Sequence, residues 1–389
     1  MTALQRYLED ALLRSSKMDR FREIFDKRHD YAREWKARTG GRVLGYFCTY
    51  LPEELAYAAG ALPVRIFGSH QPQDVTDRHI YSMYCPYCRD CLAQGLLGKY
   101  DYLDGIAKAR SCIHMRNAFA SWELNIPLSY SHFISTPSNI QSSRAKPFLI
   151  KELDRFKKSL EEWTAKEISQ EDMERAIDIY NTNRCLTKQL YMLRQRTIPP
   201  ILGAEAMDIV LSSQVMDKAE HNVLLQEIWQ NIDQRQNERD PGIRLMLIGS
   251  EDDDTEFVRM VESLGATIVV DEHCTGTRYF WNEVIPEEDK LAAIAQRYIE
   301  RPPCPAKDFP ERRRWPYIFK LIDDYHVQGV ILIQQKFCDP HEFDIPPLIA
   351  LLKERNIPSL FLEFDITTPI GQFRTRVEAF LEMLAMEVI

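Results

Sequence analysis

Four of the nine cysteines lie between Tyr84 and Asn117, which is the densest group in the chain. Cys85 precedes Pro86, whose fixed φ and missing N–H suit the first turn of a helix, so we expect Cys85 at a helix start. Ser111 is a candidate N-cap of a second helix, which places Cys112 at a helix start too. Backbone N–H groups and the positive dipole end at such positions favour a thiolate, the form of cysteine that binds metal. The stretch therefore predicts a metal site.

Three further cysteines, Cys48, Cys274 and Cys338, have predicted positions like that of Cys112. Each follows a predicted strand and lies in a turn that leads into a helix. Ligands of open α/β sheets bind at that edge of the sheet. A single cysteine is as well explained as a small buried hydrophobic side chain, as we expect for Cys185 within its helix. The recurrence at strand ends nevertheless indicates a site.

The remaining cysteines have no assigned function. Cys304 lies in a proline-bearing loop, and Cys88 and Cys91 are interpreted as side chains that face the core of their helix.

The spacing of the cysteines leaves the choice of metal open. Only Cys85 and Cys88 have the CxxC spacing of structural zinc sites, and a second such pair is missing. Single thiolates that converge from different loops suit an iron–sulfur cluster equally well. If only three thiolates bind the cluster, one iron is open to a substrate oxygen, a water or an extra sulfur.

Composition limits the class of protein. A chain of 389 residues with 45% hydrophobic residues is long enough for two globular domains. The net charge of −9 argues against nucleic acid or an anionic membrane as the main partner. No apolar run approaches the roughly 20 residues of a membrane span, and the N-terminus lacks the apolar core of a signal peptide. We expect a cytoplasmic protein with reduced thiols.

Strands that alternate with helices predict an α/β fold with two Rossmann-like or flavodoxin-like parallel sheets joined by a helical region. The predicted divisions are an N-terminal helical arm, a first α/β domain that carries the cluster-binding loops, a helical connection and a second α/β domain, at residues 1–40, 41–144, 145–240 and 241–389. The prediction of the arm is based on apolar residues at helical spacing, which begin with Leu4, Leu8, Leu12 and Leu13.

Three local predictions can be compared directly with the structure. A strand is predicted from Tyr102 to Lys108, with Ser111 as the N-cap that follows it. Ser169 and Asp172 have the spacing of a capping box at the start of a helix. No internal repeat is evident in the sequence.

Five segments together resemble the benzoyl-CoA reductase and 2-hydroxyacyl-CoA dehydratase family, in order and across about residues 40–389. They are FCTYLPEELAYAAGALPVRI, YCPYCRDCLAQGLLGKYDYLDGI, SCIHMRNAF, VVDEHCTGTRYF and QKFCDPHEFD. The resemblance implies a 4Fe-4S cluster in each of two related subunits. By motif, its ligands in this chain are Cys85, Cys112 and Cys338, while Cys48 and Cys274 are near the site.

Within the family, the chain most resembles the shorter catalytic subunit of an ATP-dependent benzoyl-CoA reductase, usually lettered C or gamma. The resemblance implies a related cluster-bearing subunit, separate ATP-hydrolysing activating subunits and ferredoxin as the indirect electron donor. Both family branches add one low-potential electron to an acyl-CoA thioester. The reductase then reduces the aromatic ring to a cyclic dienoyl-CoA, whereas an (R)-2-hydroxyacyl-CoA dehydratase, the close alternative, expels a hydroxyl group through a ketyl radical.

A zinc-stabilised scaffold without enzymatic activity is the remaining alternative. The chain has no GxxxxGK[ST] phosphate loop, which is consistent with a separate ATP-hydrolysing protein. His114 and His341 are candidate proton donors near the cluster, although either one alone is better explained as a surface or structural residue.

Overall fold

The computed structural model describes residues 18–232, 235 and 240–387, and these contain two four-stranded sheets. The strands of the first sheet are β1 Arg42–Tyr46, β2 Ala61–Arg65, β3 Gly105–Ala109 and β4 Tyr130–Ile134. Those of the second sheet are β5 Ile243–Gly249, β6 Ala266–Glu272, β7 Gly329–Gln335 and β8 Ser359–Phe364.

Helices precede, connect and follow the strands. The helices of the first part of the chain are α1 Asp19–Asp26, α2 Arg28–Thr39, α3 Glu53–Ala58, α4 Pro86–Leu96, α5 Ile113–Asn125, α6 Ala145–Thr164, α7 Gln170–Met192, α8 Gly203–Ser213 and α9 Lys218–Asn231. Those of the second part are α10 Thr255–Ser263, α11 Thr277–Phe280, α12 Lys290–Glu300, α13 Arg314–Asp324, α14 Asp339–Glu354 and α15 Ile370–Glu387.

The two sheets have the same topology. Their strand orders are β2-β1-β3-β4 and β6-β5-β7-β8, and every pairing is parallel. The predicted α/β fold with two parallel sheets is therefore confirmed. The two sheets are thus a structural repeat, which is not evident in the sequence. Strand order depends on which strands pair in the folded chain, so two sheets can share it without similar sequences.

Both faces of each sheet are covered by helices, as parallel sheets require. Val43 and Phe47 of the first sheet face one apolar cluster, while Leu44 and Tyr46 face another that includes residues of α12. In the second sheet, alternate residues of β5 and β7 likewise divide between two clusters. Since α12 follows β6 in the chain, a segment of the second half packs against the first sheet.

The structure corrects two local predictions at β3. This strand begins at Gly105, because residues 100–104 form a turn in which Leu103 N donates to Tyr100 O at 3.1 Å. The prediction of Ser111 as an N-cap is wrong: Cys112 itself occupies that position, and Ser111 Oγ accepts a hydrogen bond from Lys108 Nζ at 3.2 Å.

The capping box at the start of α7 is confirmed. Ser169 Oγ accepts from the backbone of Asp172 at 3.1 Å, and the Asp172 carboxylate accepts from the Ser169 backbone at 3.2 Å. Leu4, Leu8, Leu12 and Leu13 of the predicted N-terminal arm lie outside the described residues. Across the part of the chain that the structure describes, no helix has both the length and the apolar character that crossing a bilayer requires.

Candidate functional site

The cysteines of interest lie where the strand order of each sheet reverses. In the order β2-β1-β3-β4 that point falls between β1 and β3, and in the second sheet it falls between β5 and β7. Ligands of open α/β sheets bind outside the carboxyl ends of the strands at this point. Cys48 follows β1, Cys112 follows β3 and Cys338 follows β7. The fold therefore places all three at the edges where binding is expected.

Three of these cysteines begin helices. Cys85 is the N-cap residue of α4, with Pro86 in its first turn, and Cys112 and Cys338 are the N-cap residues of α5 and α14. The predicted helix starts at Cys85 and Cys112 are thus confirmed. Each thiol lies beside the free backbone N–H groups and the positive dipole end of its helix, which favour a thiolate.

The two edges face each other and bring four thiols into contact. The thiol of Cys85 is close enough to the thiols of Cys338 and Cys88 to change their pKa values, and Cys88 is equally close to Cys112. Cys85 and Cys88 are buried, whereas Cys112 and Cys338 are partly exposed. The thiols predicted from the sequence are therefore neighbours in space, although they come from three separate segments.

The arrangement of these thiols is a chain of pairwise contacts. Accordingly, no group of three or more His, Cys, Asp or Glu side chains within residues 18–232, 235 and 240–387 is arranged to hold a metal ion. The donor chemistry nevertheless fits a cluster, because an all-cysteine set is what a 4Fe-4S centre uses and a soft, sulfur-rich site selects it over hard cations.

The contacts divide the thiols into two that favour the thiolate and two that keep their protons. Hydrogen bonds from Cys338 and Cys88 hold the pKa of Cys85 well below its usual value. A hydrogen bond from Cys88 lowers the pKa of Cys112 to about 7. As the donors of these bonds, Cys88 and Cys338 have raised pKa values.

Cys88 is the residue that sequence reasoning missed. As the sequence predicts, Cys88 is buried in the apolar core, and its thiol also lies next to those of Cys85 and Cys112. The available signal was its i, i+3 spacing from Cys85, which puts both residues on one face of α4. Cys91 does pack in the core: it is fully buried and its Sγ donates to Ile66 O at 3.5 Å.

The other cysteines lie apart from this chain of contacts. Cys185 is within α7, as predicted, and Gln189 Nε2 lies 3.5 Å from its sulfur. Cys48, Cys274 and Cys304 are partly exposed. The backbone carbonyl of Cys274 accepts from Arg65 at 3.3 Å, and burial raises the pKa of the Cys274 thiol to about 12.

The two candidate histidines have different surroundings. His114 Nδ1 accepts from the backbone N–H of Cys85 at 3.1 Å, and its Nε2 lies 3.5 Å from Asp339 next to Cys338. It therefore links the helix starts of both edges. His341 is buried in α14, where burial pushes its pKa well below the usual value.

The turn before Cys338 is conformationally unusual. Phe337 has a φ of 60°, in the left-handed region that a bulky residue rarely adopts. Such strain persists only where the surrounding structure imposes it, and it concentrates at functional sites. At the end of β5, Gly249 has a φ of 148°, and an added Cβ would lie 1.9 Å from Ile333 O on β7. Only glycine permits this approach at the switch point of the second sheet.

A network of buried ion pairs fills the edge of the second sheet. Arg314 Nε donates to Glu272 Oε1 at 2.9 Å, and its guanidinium also pairs with Asp344. These carboxylates raise the pKa of Arg314 against the effect of burial. Two pairs join the edges of the two sheets: Arg65 with Glu251 at 2.6 Å and His70 with Asp253 at 3.0 Å.

Comparison with known proteins agrees with this architecture. Residues 48–384 match the family described as "2-hydroxyglutaryl-CoA dehydratase, D-component". The chain belongs to this family. The match begins at Cys48 and contains all the cysteines discussed above.

Several characterised relatives are similar over nearly their whole length. The chain is 25% identical to the (R)-phenyllactyl-CoA dehydratase beta subunit of Clostridium sporogenes, over 94% of this chain and 97% of the relative. It is 25% identical to the C subunit of benzoyl-CoA reductase from Thauera aromatica, over 88% and 90%. It is also 25% identical to the beta subunit of (R)-2-hydroxyglutaryl-CoA dehydratase from Acidaminococcus fermentans, over 95% and 99%. The named relatives are thus enzyme subunits from both the reductase and the dehydratase branch.

Proposed function

We propose that this chain is a 4Fe-4S subunit of an enzyme that delivers a low-potential electron to an acyl-CoA thioester. The observation that supports the proposal is the series of pairwise thiol interactions that links Cys338 to Cys85 and, through Cys88, to Cys112. Family membership supports the same function, because the named relatives are dehydratase and reductase subunits.

The proposed cluster ligands are Cys85, Cys112 and Cys338. A bound 4Fe-4S cluster supplies one-electron chemistry at a potential set by hydrogen bonds to sulfur and by solvent access. The chain's own residues favour thiolates, because three helix starts supply N–H groups. At Cys338, Cys85 and burial raise the pKa of the thiol, and the Ser250 side chain opposes them. His114 fixes the backbone at Cys85. Cys88 touches two members of the trio and is the natural fourth thiol.

For the reaction, we propose the reduction of benzoyl-CoA to a cyclic dienoyl-CoA. Its support is the relative from Thauera aromatica together with the resemblance of the motifs. Dehydration of an (R)-2-hydroxyacyl-CoA is the second candidate, favoured by the family match and by the dehydratase subunits at the same 25% identity.

The proposed partners are a related cluster-bearing subunit, ATP-hydrolysing activating subunits and ferredoxin as the indirect donor. The names of the relatives, each of which denotes one subunit of an enzyme, support assembly with other chains. Neither nucleic acid nor a membrane is among the proposed partners, given the net charge of −9.

Metal analysis after anaerobic purification tests the cluster. About four irons and four sulfides per chain are expected for one 4Fe-4S centre. Zinc without sulfide would instead support the scaffold alternative, and folded protein free of metal and sulfide would contradict the proposal.

Substrate consumption separates the two reactions. The complex reconstituted with its activator and reductant is supplied with benzoyl-CoA or with (R)-2-hydroxyacyl-CoA compounds, and the loss of each substrate is followed. We expect benzoyl-CoA to be consumed, and consumption of hydroxyacyl-CoA alone would establish the dehydratase. Copurifying chains give a second test: four different subunits with two ATPases indicate the reductase, whereas one related chain with a detachable activator indicates the dehydratase.

A further inference from the structure

Three fully buried cations line the edge of the first sheet without a carboxylate partner. Lys108, Lys307 and Arg301 have relative exposures of 0%, 2% and 1%. Within the described ranges 18–232, 235 and 240–387, none of them has a carboxylate at ion-pair distance. A charge removed from water without a counter-charge costs several kcal/mol, so it is normally paired or neutralised.

Neutral oxygen atoms account for the hydrogen bonds of these cations. Lys108 Nζ donates to Ala109 O and to Ser111 Oγ, both at 3.2 Å. Lys307 Nζ donates to Thr136 Oγ1 at 2.9 Å and to Pro137 O at 2.7 Å. These contacts hold the ammonium groups in place without neutralising them.

Arg301 is held in the same way and keeps one donor free. Its guanidinium donates to the Thr49 carbonyl, to Thr49 Oγ1 at 3.1 Å and to the Arg278 carbonyl. Its buried Nε has no hydrogen-bond partner.

Two of the three cations share one aromatic neighbour, which also contacts a partly exposed cysteine. The ring of Tyr50 contacts both Arg301, 4.5 Å from its centroid, and Lys307, 5.1 Å from it. Tyr50 Oη accepts from the backbone N–H of Cys304 at 3.1 Å. The partial exposure of Cys48 and Cys304 shows that solvent reaches this region.

Several buried arginines elsewhere in the described residues have carboxylate partners. Arg65 pairs with Glu251, Arg184 with Glu54, and Arg314 with Glu272 and Asp344. Lys218 and Arg297 are also buried with only neutral oxygen partners, so Lys108, Lys307 and Arg301 are distinguished by their position. Lys108 donates to Ser111 next to Cys112, and Arg301 donates to Thr49 next to Cys48. The backbone N–H of Lys307 donates to Cys304 O, so the three positive charges lie beside partly exposed cysteines.

We propose that Lys108, Lys307 and Arg301 form an anion-binding wall of the acyl-thioester pocket. This inference rests on the function proposed above. The anion is either a carboxylate of the acyl group or the charge that develops at the thioester carbonyl. In the second case one electron from the external low-potential donor enters the carbonyl, no bond breaks, and one negative charge is placed on oxygen, where preorganised cations stabilise it.

Selective alkylation tests the positive charge without requiring turnover. The full-length chain is treated with anionic iodoacetate or neutral iodoacetamide, and labelling of Cys48 and Cys304 is measured by peptide mass spectrometry relative to Cys185. We expect iodoacetate to be favoured at Cys48 and Cys304 by at least several-fold after this normalisation. Lys307→Met should abolish the preference and Lys307→Arg should retain it. Equal ratios at all three cysteines of the unaltered chain would overturn the proposal.

Kinetics of the complete complex identify the source of the anion. If the charge develops at the carbonyl, Lys307→Met should lower kcat about 100-fold for every accepted substrate, with little change in KM. If the anion is a carboxylate, KM should rise only for a substrate that carries one, such as (R)-2-hydroxyglutaryl-CoA. Lys108→Met, on a different element, should have the same kind of effect, and exposed Lys320→Met serves as the control.

Two measurements distinguish the possible failures. In the first, the variants shift the midpoint potential of the cluster, and kcat changes only as much as that shift explains. The cations would then balance the charge of the cluster, and the inference would be wrong. If the unaltered chain contains no iron and sulfide, the proposed function fails. Full iron and sulfide with unchanged kinetics in both lysine variants would reject the anion site alone.

Discussion

The edges of the two sheets share a topology and differ in chemistry. In each, the third strand in sequence leads through a short turn to a cysteine that is the N-cap of the next helix, Cys112 in the first and Cys338 in the second. The first edge adds Cys85 and Cys88 from α4, whereas the second adds buried arginine–carboxylate pairs. A repeated fold thus supplies equivalent positions, and the side chains decide their function.

The difference extends to charge. Buried cations at the first edge have only neutral oxygen partners, while Arg314 at the second edge is matched by Glu272 and Asp344. We infer that the first edge is prepared to receive negative charge and that the second edge holds the structure around Cys338.

The largest effect is expected from replacing Cys112 or Cys338, which occupy equivalent positions at the two edges. Serine at either position removes a thiolate, so iron and sulfide should fall from about four each per chain to nearly none. Cys185→Ser is the matched control and should retain the full content. Loss at only one of the two positions would show that the edges are not equivalent, and equal losses at Cys185 would mean that packing has been mistaken for ligation.

The next effect concerns the ion pairs of the second edge. Arg314→Met removes the nearest cation from two buried carboxylates and should lower the free energy of unfolding by about 3–5 kcal/mol. Only longer pairs remain, Arg278 with Glu272 at 3.4 Å and Arg312 with Asp344 at 3.9 Å. Urea denaturation measures the change. Arg33→Met is the control, because its pair with Asp101 is exposed and should contribute less than about 1 kcal/mol. A small effect at Arg314 would contradict a structural function for this edge.

A smaller, pH-dependent effect is expected where the edges meet. Burial opposes the charged form of His70, but Asp253 more than offsets this and raises the pKa of His70 to about 10. Stability from this pair is complete below the unfolded pKa of about 6.5 and is lost as the pH rises through 10. The free energy of unfolding should therefore fall between pH 7 and 10, by at most ~1.4 kcal/mol per pH unit and less after solvent screening.

The same pH series on a variant isolates the contribution of His70. His70→Gln should remove this part of the slope, since Asp253 then has no titrating partner at 3.0 Å. An unchanged slope would show that the two edges are not joined electrostatically here.

The smallest expected effect lies outside both edges. Ser169→Ala removes the capping box of α7 and should cost about 1 kcal/mol in the free energy of unfolding. Iron and sulfide content should be unchanged, because α7 contributes no ligand to the proposed cluster. A loss of cluster in this variant would mean that the helical region also determines the site.

Local chemistry made much of this molecule predictable. Pro86 after Cys85 indicates the start of α4, and Ser169 with Asp172 indicates the start of α7, since both signals act within one helical turn. Predictions failed where another local contact competes with the expected one. Ser111 does not cap α5 but accepts a hydrogen bond from Lys108, and β3 begins after a turn instead of at Tyr102.

The sequence by itself determined the α/β alternation, the strand ends at which cysteines recur and the family, because hydrophobic period, turn residues and motifs are local properties. The tertiary structure alone decided that both sheets have one strand order, that Cys88 lies between Cys85 and Cys112, and that Lys108, Lys307 and Arg301 are buried with only neutral oxygen partners. These features depend on which distant segments pack together, and burial then fixes the free energy of each charge.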